Sequence, residues 1–173
     1  SAIECGGAKE YDNGNGSLMR ILPMVYYTMK MEKKERYEKI DQVSSITHAH
    51  KRAVIACNIY IEFARQILQG IEKLTAYNNM KREIIEYYEN NDDLEKYARI
   101  LKSDIGMVEE ENINSSGYVV DTLEAAIWCF LNTTDYSTCV LTAVNLGDDT
   151  DTVAAIAGGL AGIYYGIENI PKN

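Results

Sequence analysis

The chain has 173 residues, of which 46% are hydrophobic and 25% charged, and its formal net charge is −9. This length and composition are typical of one globular domain with its own core and exclude a disordered chain. The negative charge opposes binding to nucleic-acid phosphates, and no apolar run reaches the roughly 18 residues that a membrane-spanning helix needs. No signal peptide is visible, and we expect a cytoplasmic protein.

The four cysteines stand singly, at Cys5, Cys57, Cys129 and Cys139. No Cys-x-x-Cys pair occurs, which argues against a structural zinc site. The sequence therefore predicts free thiols in a reducing compartment.

Helical patterning is nearly continuous, and only Pro23 and Pro171 interrupt it. Ile55, Ile59, Phe63 and Ile67 recur every four residues, which predicts one stripe of a long helix. Strand patterning is weak, because the best candidate, Tyr118-Val119-Val120, leads directly into a helical segment. The predicted helices cover residues 18–31, 35–46, 48–70, 80–90, 94–102, 121–130, 136–146 and 153–167.

Two of these helices have side chains suited to their first turns. Asp121 and Glu124 have the spacing of a capping box, and Asp135 can cap the helix that follows. We predict a single all-α domain over residues 1–173, with functional residues in the loops at 12–17, 105–118 and 145–149.

The segment Gly147-Asp148-Asp149-Thr150-Asp151-Thr152 is the strongest candidate for a functional site. Its carboxylates and hydroxyls suit a hard cation such as Mg²⁺, and the apolar residues 153–167 predict a buried helix that supports them. One alternative is a helix cap without metal, since the helix dipole favours carboxylates there. Another is the DxDx[TV] motif of haloacid-dehalogenase-type phosphatases, which Asp149–Val153 matches but which needs a strand before it.

Three other segments are weaker candidates. The Gly/Asn-rich loop Asp12–Ser17 precedes a helix and could bind an anion or form a plain turn. Thr47–His50 holds both histidines, which could form a metal pair, contact a substrate or lie on the surface. Ser115–Tyr118 could donate hydroxyls to a sugar or simply lead into the helix.

Taken together, these segments resemble the ADP-ribosylglycohydrolase family. The matching stretches, in order, are GNGSLMRILP (14–23), ITHAH (46–50), GYVVDTLEAAIWCF (117–130) and NLGDDTDTVAAIAGGLAGIYYG (145–166). The resemblance implies a multi-helix all-α bundle whose cleft holds two Mg²⁺ ions. It implies hydrolysis of the bond between ADP-ribose and a protein side chain or another acceptor, so that the partner is an ADP-ribosylated protein or an ADP-ribose-containing small molecule.

The resemblance also implies roles for individual residues. Asp149, Asp151 and Thr152 would be metal ligands, and Asp149 and Asp151 would also be catalytic. The expected substrate-binding residues form two groups. Near the diphosphate or ribose these are Asn15, Gly16, Ser17 and His48, and near the adenosine half they are Ser116, Gly117 and Tyr118.

Two departures from the family pattern affect these expectations. Asp148 stands where family members usually carry Gly. The family's other metal ligands come from a Thr-Asp-Asp-Thr type motif in an N-terminal segment, and the 173 residues contain no such motif. We therefore expect this chain to match the C-terminal portion of the fold and, alone, to bind metal weakly and hydrolyse little.

The same departure predicts exposed apolar surface, which a homo-oligomer or a complementing N-terminal segment would cover. Two alternatives to an enzyme remain open: a non-catalytic module that binds ADP-ribose or a nucleotide, and a helical interaction protein.

Overall fold

The computed structural model describes residues 5–172, and these residues form an all-α domain. The α-helices are α1 (Gly16–Arg20), α2 (Met24–Tyr27), α3 (Lys33–Ser45), α4 (Lys51–Leu68), α5 (Lys73–Tyr87), α6 (Ala98–Leu101), α7 (Val119–Asn132), α8 (Tyr136–Asn145) and α9 (Thr150–Tyr165). Short 3₁₀ turns cover Asp92–Tyr97, Ile105–Met107, Glu110–Asn112 and Ile167–Asn169. Within this part of the chain, β pairing is limited to the isolated bridges Gly7–His48 and Gly14–Tyr118.

Helix α4 lies at the centre of the domain, because it packs against α3, α5, α7 and α9. The predicted stripe Ile55, Ile59, Phe63 and Ile67 is buried, and so are most residues on the other faces of this helix. The charged Glu62 is fully buried but is paired with Arg36 at 3.0 Å and Arg65 at 2.6 Å. Paired charges of this kind are the form in which a core tolerates carboxylates.

Helices α7, α8 and α9 pack against one another beside α4. They form the support on which the candidate site lies, because the loops before α7 and α9 both end at it. No helix within residues 5–172 has the length and apolar character needed to cross a membrane. All four cysteines are free, with Cys5 exposed and the other three buried.

The single helix predicted for residues 18–31 is wrong. The segment forms α1 and α2, and Pro23 stands immediately before α2. Pro23 has no backbone N–H to donate, and its ring would clash with the carbonyl four residues earlier in a continuous helix. The chain turns there instead, and the N–H of Met24 donates to the carbonyl of Ile21 at 2.9 Å.

The capping box at Asp121 is also wrong, whereas the cap at Asp135 is confirmed. Helix α7 begins two residues earlier than predicted, at Val119, and Asp121 accepts a hydrogen bond from Ser116 Oγ at 2.6 Å. Asp135 accepts from the backbone N–H of Thr138 at 2.9 Å and begins α8. The strand-like residues Val119 and Val120 belong to α7, as expected from their lead-in position.

Side-chain caps explain where α5 and α4 begin. Helix α5 begins at Lys73 rather than at residue 80, because Glu72 accepts from the N–H groups of Leu74 and Thr75. Helix α4 begins at Lys51, after the imidazole of His50 accepts from the N–H of Arg52. The segment predicted as a helix over 94–102 is a 3₁₀ turn followed by α6.

Candidate functional site

The three loops predicted to carry function meet at one place. The backbone N–H of Val119 donates to the carbonyl of Asn13 at 2.9 Å, which joins the first loop to the start of α7. The N–H of Asp149 donates to the carbonyl of Ser115 at 3.1 Å, which joins the third loop to the second. Segments far apart in sequence therefore border one cleft.

The side chain of Asn15 connects two sides of this cleft. Its Nδ2 donates to Asp149 Oδ2 at 2.6 Å and to Thr122 Oγ1 at 2.9 Å. Asp149 occupies the N-cap position of α9, but its side chain makes no capping hydrogen bond there. The interpretation of this carboxylate as a helix cap is therefore wrong, because it is bonded across the cleft.

The turn before α9 is held in an unusual backbone conformation. Gly147 and Asp148 both have positive φ angles, of 87° and 52°. Ser115 Oγ donates to the carbonyl of Gly147 at 3.0 Å, which fixes the turn from the opposite loop. The Asp148 side chain is exposed.

The predicted metal ligands offer oxygen atoms only. Asp149 is half-buried, Asp151 is exposed, and Thr152 is buried at 6% exposure. Because Asn15 engages Asp149 Oδ2, the other carboxylate oxygen is left for a cation. Among the described residues, no three His, Cys, Asp or Glu side chains cluster in a way that could hold a metal ion. The donor set has the chemistry that Mg²⁺ prefers, with most of its six positions left to water or a ligand.

His48 lies against the Gly14–Gly16 loop. A Cβ atom added at Gly16 would come within 2.8 Å of His48 Cε1, so only glycine leaves room for the imidazole. Burial and the neighbouring Arg20 lower the pKa of His48, against an opposite effect of Asp12. His50 instead caps α4, and its Nε2 lies 3.7 Å from Glu10 Oε2, so the two histidines contact different residues.

Ser17 does not face the cleft. Its side chain is fully buried, and its Oγ accepts from Cys57 Sγ at 3.5 Å. The Ser17 hydroxyl therefore lies in the core, and the expectation that Ser17 contacts the substrate stays a prediction. Helix α1 has only five residues, so few peptide dipoles add up at its start and anion binding there has little support.

The loop before α7 brings its three predicted residues to the cleft in different ways. Ser116 Oγ donates to Asp121 Oδ2 at 2.6 Å and accepts from the N–H of Tyr118 at 3.2 Å. Gly117 is exposed, and a Cβ atom there would lie 3.5 Å from Asp149 Oδ2. Tyr118 is half-buried and borders a cavity next to the Asn13–Gly14 loop.

This cavity has a volume of about 450 Å³. Its lining residues are Glu10, Tyr11, Asn13, Gly14, Arg52, Gly117 and Tyr118. The sequence analysis missed Tyr11 and Arg52, because neither belongs to a recognisable motif. Arg52 reaches the cavity because the start of α4 lies beside the first loop.

The model of the family described as ADP-ribosylglycohydrolase matches residues 2–173. The chain belongs to the ADP-ribosylglycohydrolase family. The match covers all three loops of the cleft, so the candidate site lies within the part of the chain that the family model describes.

Two curated proteins that are similar to this chain are ADP-ribosylarginine hydrolases. The one from Pseudomonas putida is 34% identical over 91% of this chain and 40% of the relative. The one from Serratia proteamaculans is 31% identical over 96% of this chain and 43% of the relative. The chain thus spans about two fifths of the length of these two relatives.

A solved structure, described as an ADP-ribosylglycohydrolase-related protein complex, has the same fold. It superposes with a TM-score of 0.80 and 30% sequence identity, over 95% of this chain and 54% of the other. The all-α bundle expected from the sequence is therefore confirmed.

Proposed function

We propose that the cleft formed by the loops at 12–17, 115–118 and 147–152 binds ADP-ribose and serves hydrolysis of its bond to a protein side chain. Relatives that match nearly the whole chain act on ADP-ribosylarginine, so an ADP-ribosylated arginine is the proposed substrate. The observation that carries the proposal is the 2.6 Å hydrogen bond between Asn15 and Asp149. It brings the two most specific family segments to one point.

The proposed cofactor is Mg²⁺, held by Asp149, Asp151 and Thr152. When bound, the cation would supply positive charge to the ribose hydroxyls and activate a water molecule. Asn15 orients Asp149 by engaging one oxygen, which leaves the second oxygen free to bind. Asp151 is exposed at the first turn of α9, and its carboxylate oxygen that does not bind the cation would accept a proton from water.

The protein side of the cleft would position the rest of the ligand. Tyr118 borders the 450 Å³ cavity and offers an aromatic ring on which a base can stack. Arg52 lies in the same lining and donates to Glu10 and to Asp93. We place the adenosine half of ADP-ribose on this side and the scissile bond on the side of Asp149.

Activity of the 173-residue chain alone is expected to be low. Two carboxylates and one hydroxyl leave Mg²⁺ largely hydrated, and Mg²⁺ gives up its water reluctantly. We expect little ADP-ribose to be released from ADP-ribosyl-arginine by this chain. Rapid release would show that the ligands within it suffice.

Calorimetric titration with ADP-ribose tests the proposal. Binding to the chain should require Mg²⁺ and should be lost in the Asp149→Asn variant. The Asp135→Asn variant is the matched control, because Asp135 caps α8 and has no contact with Asn15. Binding that persists in EDTA would favour a non-catalytic ADP-ribose module, and no binding at all would favour a helical interaction protein.

A further inference from the structure

The guanidinium of Arg20 is held by three acceptors at the end of α3. Nη1 donates to the carbonyl of Val43 at 3.0 Å, and Nη2 donates to the carbonyl of Ser44 at 3.3 Å and to Thr47 Oγ1 at 2.5 Å. Arg20 is exposed, but these bonds hold its guanidinium in one place. The arrangement places a fixed cation next to the Thr47 hydroxyl.

The Thr47 hydroxyl connects this cation to the imidazole of His48. Thr47 Oγ1 lies 2.8 Å from His48 Nδ1. Because a guanidinium can only donate, Thr47 Oγ1 accepts from Arg20, and its own proton remains free to donate. His48 Nδ1 is the protein acceptor within reach, and a hydrogen bond to it places the ring proton of a neutral imidazole on Nε2.

The opposite arrangement is less favourable. If His48 Nδ1 carried the proton, Thr47 Oγ1 would accept two hydrogen bonds next to a cation, and its own proton would have no acceptor within the protein and would donate to solvent. A protonated imidazolium would also place a second positive charge close to Arg20. Burial and Arg20 both lower the pKa of His48, which agrees with a neutral ring.

Backbone hydrogen bonds hold the segment that carries His48, and its ring lies against the first loop. The N–H of His48 donates to the carbonyl of Ser44 at 2.9 Å, and the N–H of Ala49 donates to the carbonyl of Gly7 at 2.8 Å. A Cβ atom added at Gly14 would lie 3.6 Å from His48 Nε2. The Nε2 edge of the ring therefore faces the loop that carries Asn15.

We propose that Arg20 and Thr47 are positioning residues, which hold His48 as the neutral Nε2–H tautomer so that it donates a hydrogen bond to an acceptor oxygen of the ligand. This inference rests on the proposed function only for the identity of that ligand. It makes His48 a fixed donor in the cleft rather than a base or a metal ligand.

Nitrogen-15 NMR of the histidine rings tests the tautomer without any ligand. At pH 8, His48 should show an unprotonated Nδ1 and a protonated Nε2. Thr47→Val keeps the shape but removes the hydroxyl and should give a mixture of tautomers, whereas Thr47→Ser should restore the original signals. His50, whose Nδ1 accepts from the backbone of Arg52, is the internal control and should not change.

Two further variants and measurements separate the possible outcomes. Arg20→Gln removes the cation and should raise the pKa of His48, which NMR titration measures. Thr47→Val should also weaken ADP-ribose binding in proportion to the share of rings that leave the Nε2–H tautomer, about twofold for an even mixture, whereas Thr47→Ser should bind as the original protein does.

A His48 ring protonated at Nδ1, or a Thr47→Val ring identical to the original, would overturn the inference. If the tautomer is as proposed but Thr47→Val binds ADP-ribose as tightly as the original, the donor role is wrong. If the original chain binds no ADP-ribose, the proposed function fails, while NMR still decides the tautomer.

Discussion

The turn before α9 holds two successive residues with positive φ, Gly147 at 87° and Asp148 at 52°. Glycine adopts this conformation without cost, whereas a residue with a Cβ pays for it. Asp is among the residues that tolerate it best, but it remains strained relative to Gly. The Gly that the family resemblance implies at the position of Asp148 would relieve this strain.

Two substitutions test this strain, one that removes the Cβ atom at Asp148 and one that adds a Cβ atom at Gly147. Asp148→Gly should increase the free energy of unfolding by up to about 1 kcal/mol. Gly147→Ala should decrease it by roughly the same amount, although the added Cβ meets no atom within 4 Å. Urea denaturation measures both, and equal stability in the two variants would contradict the conformational argument.

The contact between Asn15 and Asp149 could not be predicted from the residues alone. The two side chains are separated by 134 positions, and each stands in a loop whose local pattern also suits a turn or a cap. Only their order within the family segments suggested a shared cleft. The burial of Ser17 was equally invisible, because a serine after a Gly/Asn loop has no local feature that shows which way it points.

Helix α9 contains three glycines, and two of them, Gly159 and Gly162, differ in how closely neighbouring side chains approach them. A Cβ atom at Gly159 would lie 2.6 Å from Tyr60 Oη and 2.7 Å from Leu22 Cδ2. One at Gly162 would lie 3.8 Å from Tyr136 Cε2, an ordinary contact distance. Gly159 therefore allows α9 to approach α4 closely, whereas Gly162 has no such role.

Alanine substitutions at these two positions should have opposite effects. Gly159→Ala should destabilise the domain by about 1–3 kcal/mol through overpacking. Gly162→Ala should stabilise it by roughly 0.5–1 kcal/mol, because alanine loses less backbone entropy in a helix. Thermal unfolding of both variants gives the comparison, and a stable Gly159→Ala variant would mean that Tyr60 and Leu22 move aside easily.

Sequence patterns placed α4 and α8 well but missed the start of α5 by seven residues. The apolar stripe of α4 and the cap of α8 were sufficient to place both helices within a few residues. The break at Pro23 was missed because a proline near a first helical turn is tolerated, and whether it ends a helix depends on packing. The start of α7 was misplaced because Asp121 bonds Ser116 instead of the backbone.

The domain carries one carboxyl group whose titration should affect overall stability near neutral pH. Glu124 on α7 is buried, and burial raises its pKa from the ordinary 4.5 to about 7, against the effect of Arg99. Arg99 Nη1 lies 3.3 Å from Glu124 Oε2. The folded state thus prefers the protonated carboxyl, whereas the unfolded chain releases this proton at lower pH.

The sign of the effect follows from proton binding. Between about pH 4.5 and 7 the folded state holds more protons on Glu124 than the unfolded chain, so this group's contribution to stability falls as pH rises. Glu124→Gln cannot titrate and should remove this slope. Urea denaturation of both proteins between pH 4 and 8 gives the difference, and parallel curves would contradict the raised pKa.

Several apolar side chains on α1, α2 and α8 are exposed. They include Met19 at 50%, Tyr26 at 60%, Tyr27 at 66% and Leu141 at 60%. Thr152 Oγ1 lies 4.0 Å from Met19 Sδ, so one of them borders the candidate metal site. Self-association, or cover by a complementing segment, stays a prediction, which sedimentation of the chain can test.

The account depends most on the claim that Asp149, Asp151 and Thr152 hold a cation in the cleft beside Asn15. Titration with Mn²⁺, a paramagnetic ion that the same oxygen ligands accept, tests it through the broadening of backbone amide NMR signals. We predict broadening centred on residues 149–153, Asn15 and Gly117, and its loss in Asp149→Asn. Broadening centred on Glu109–Glu111 instead, or none at millimolar Mn²⁺, would contradict the account.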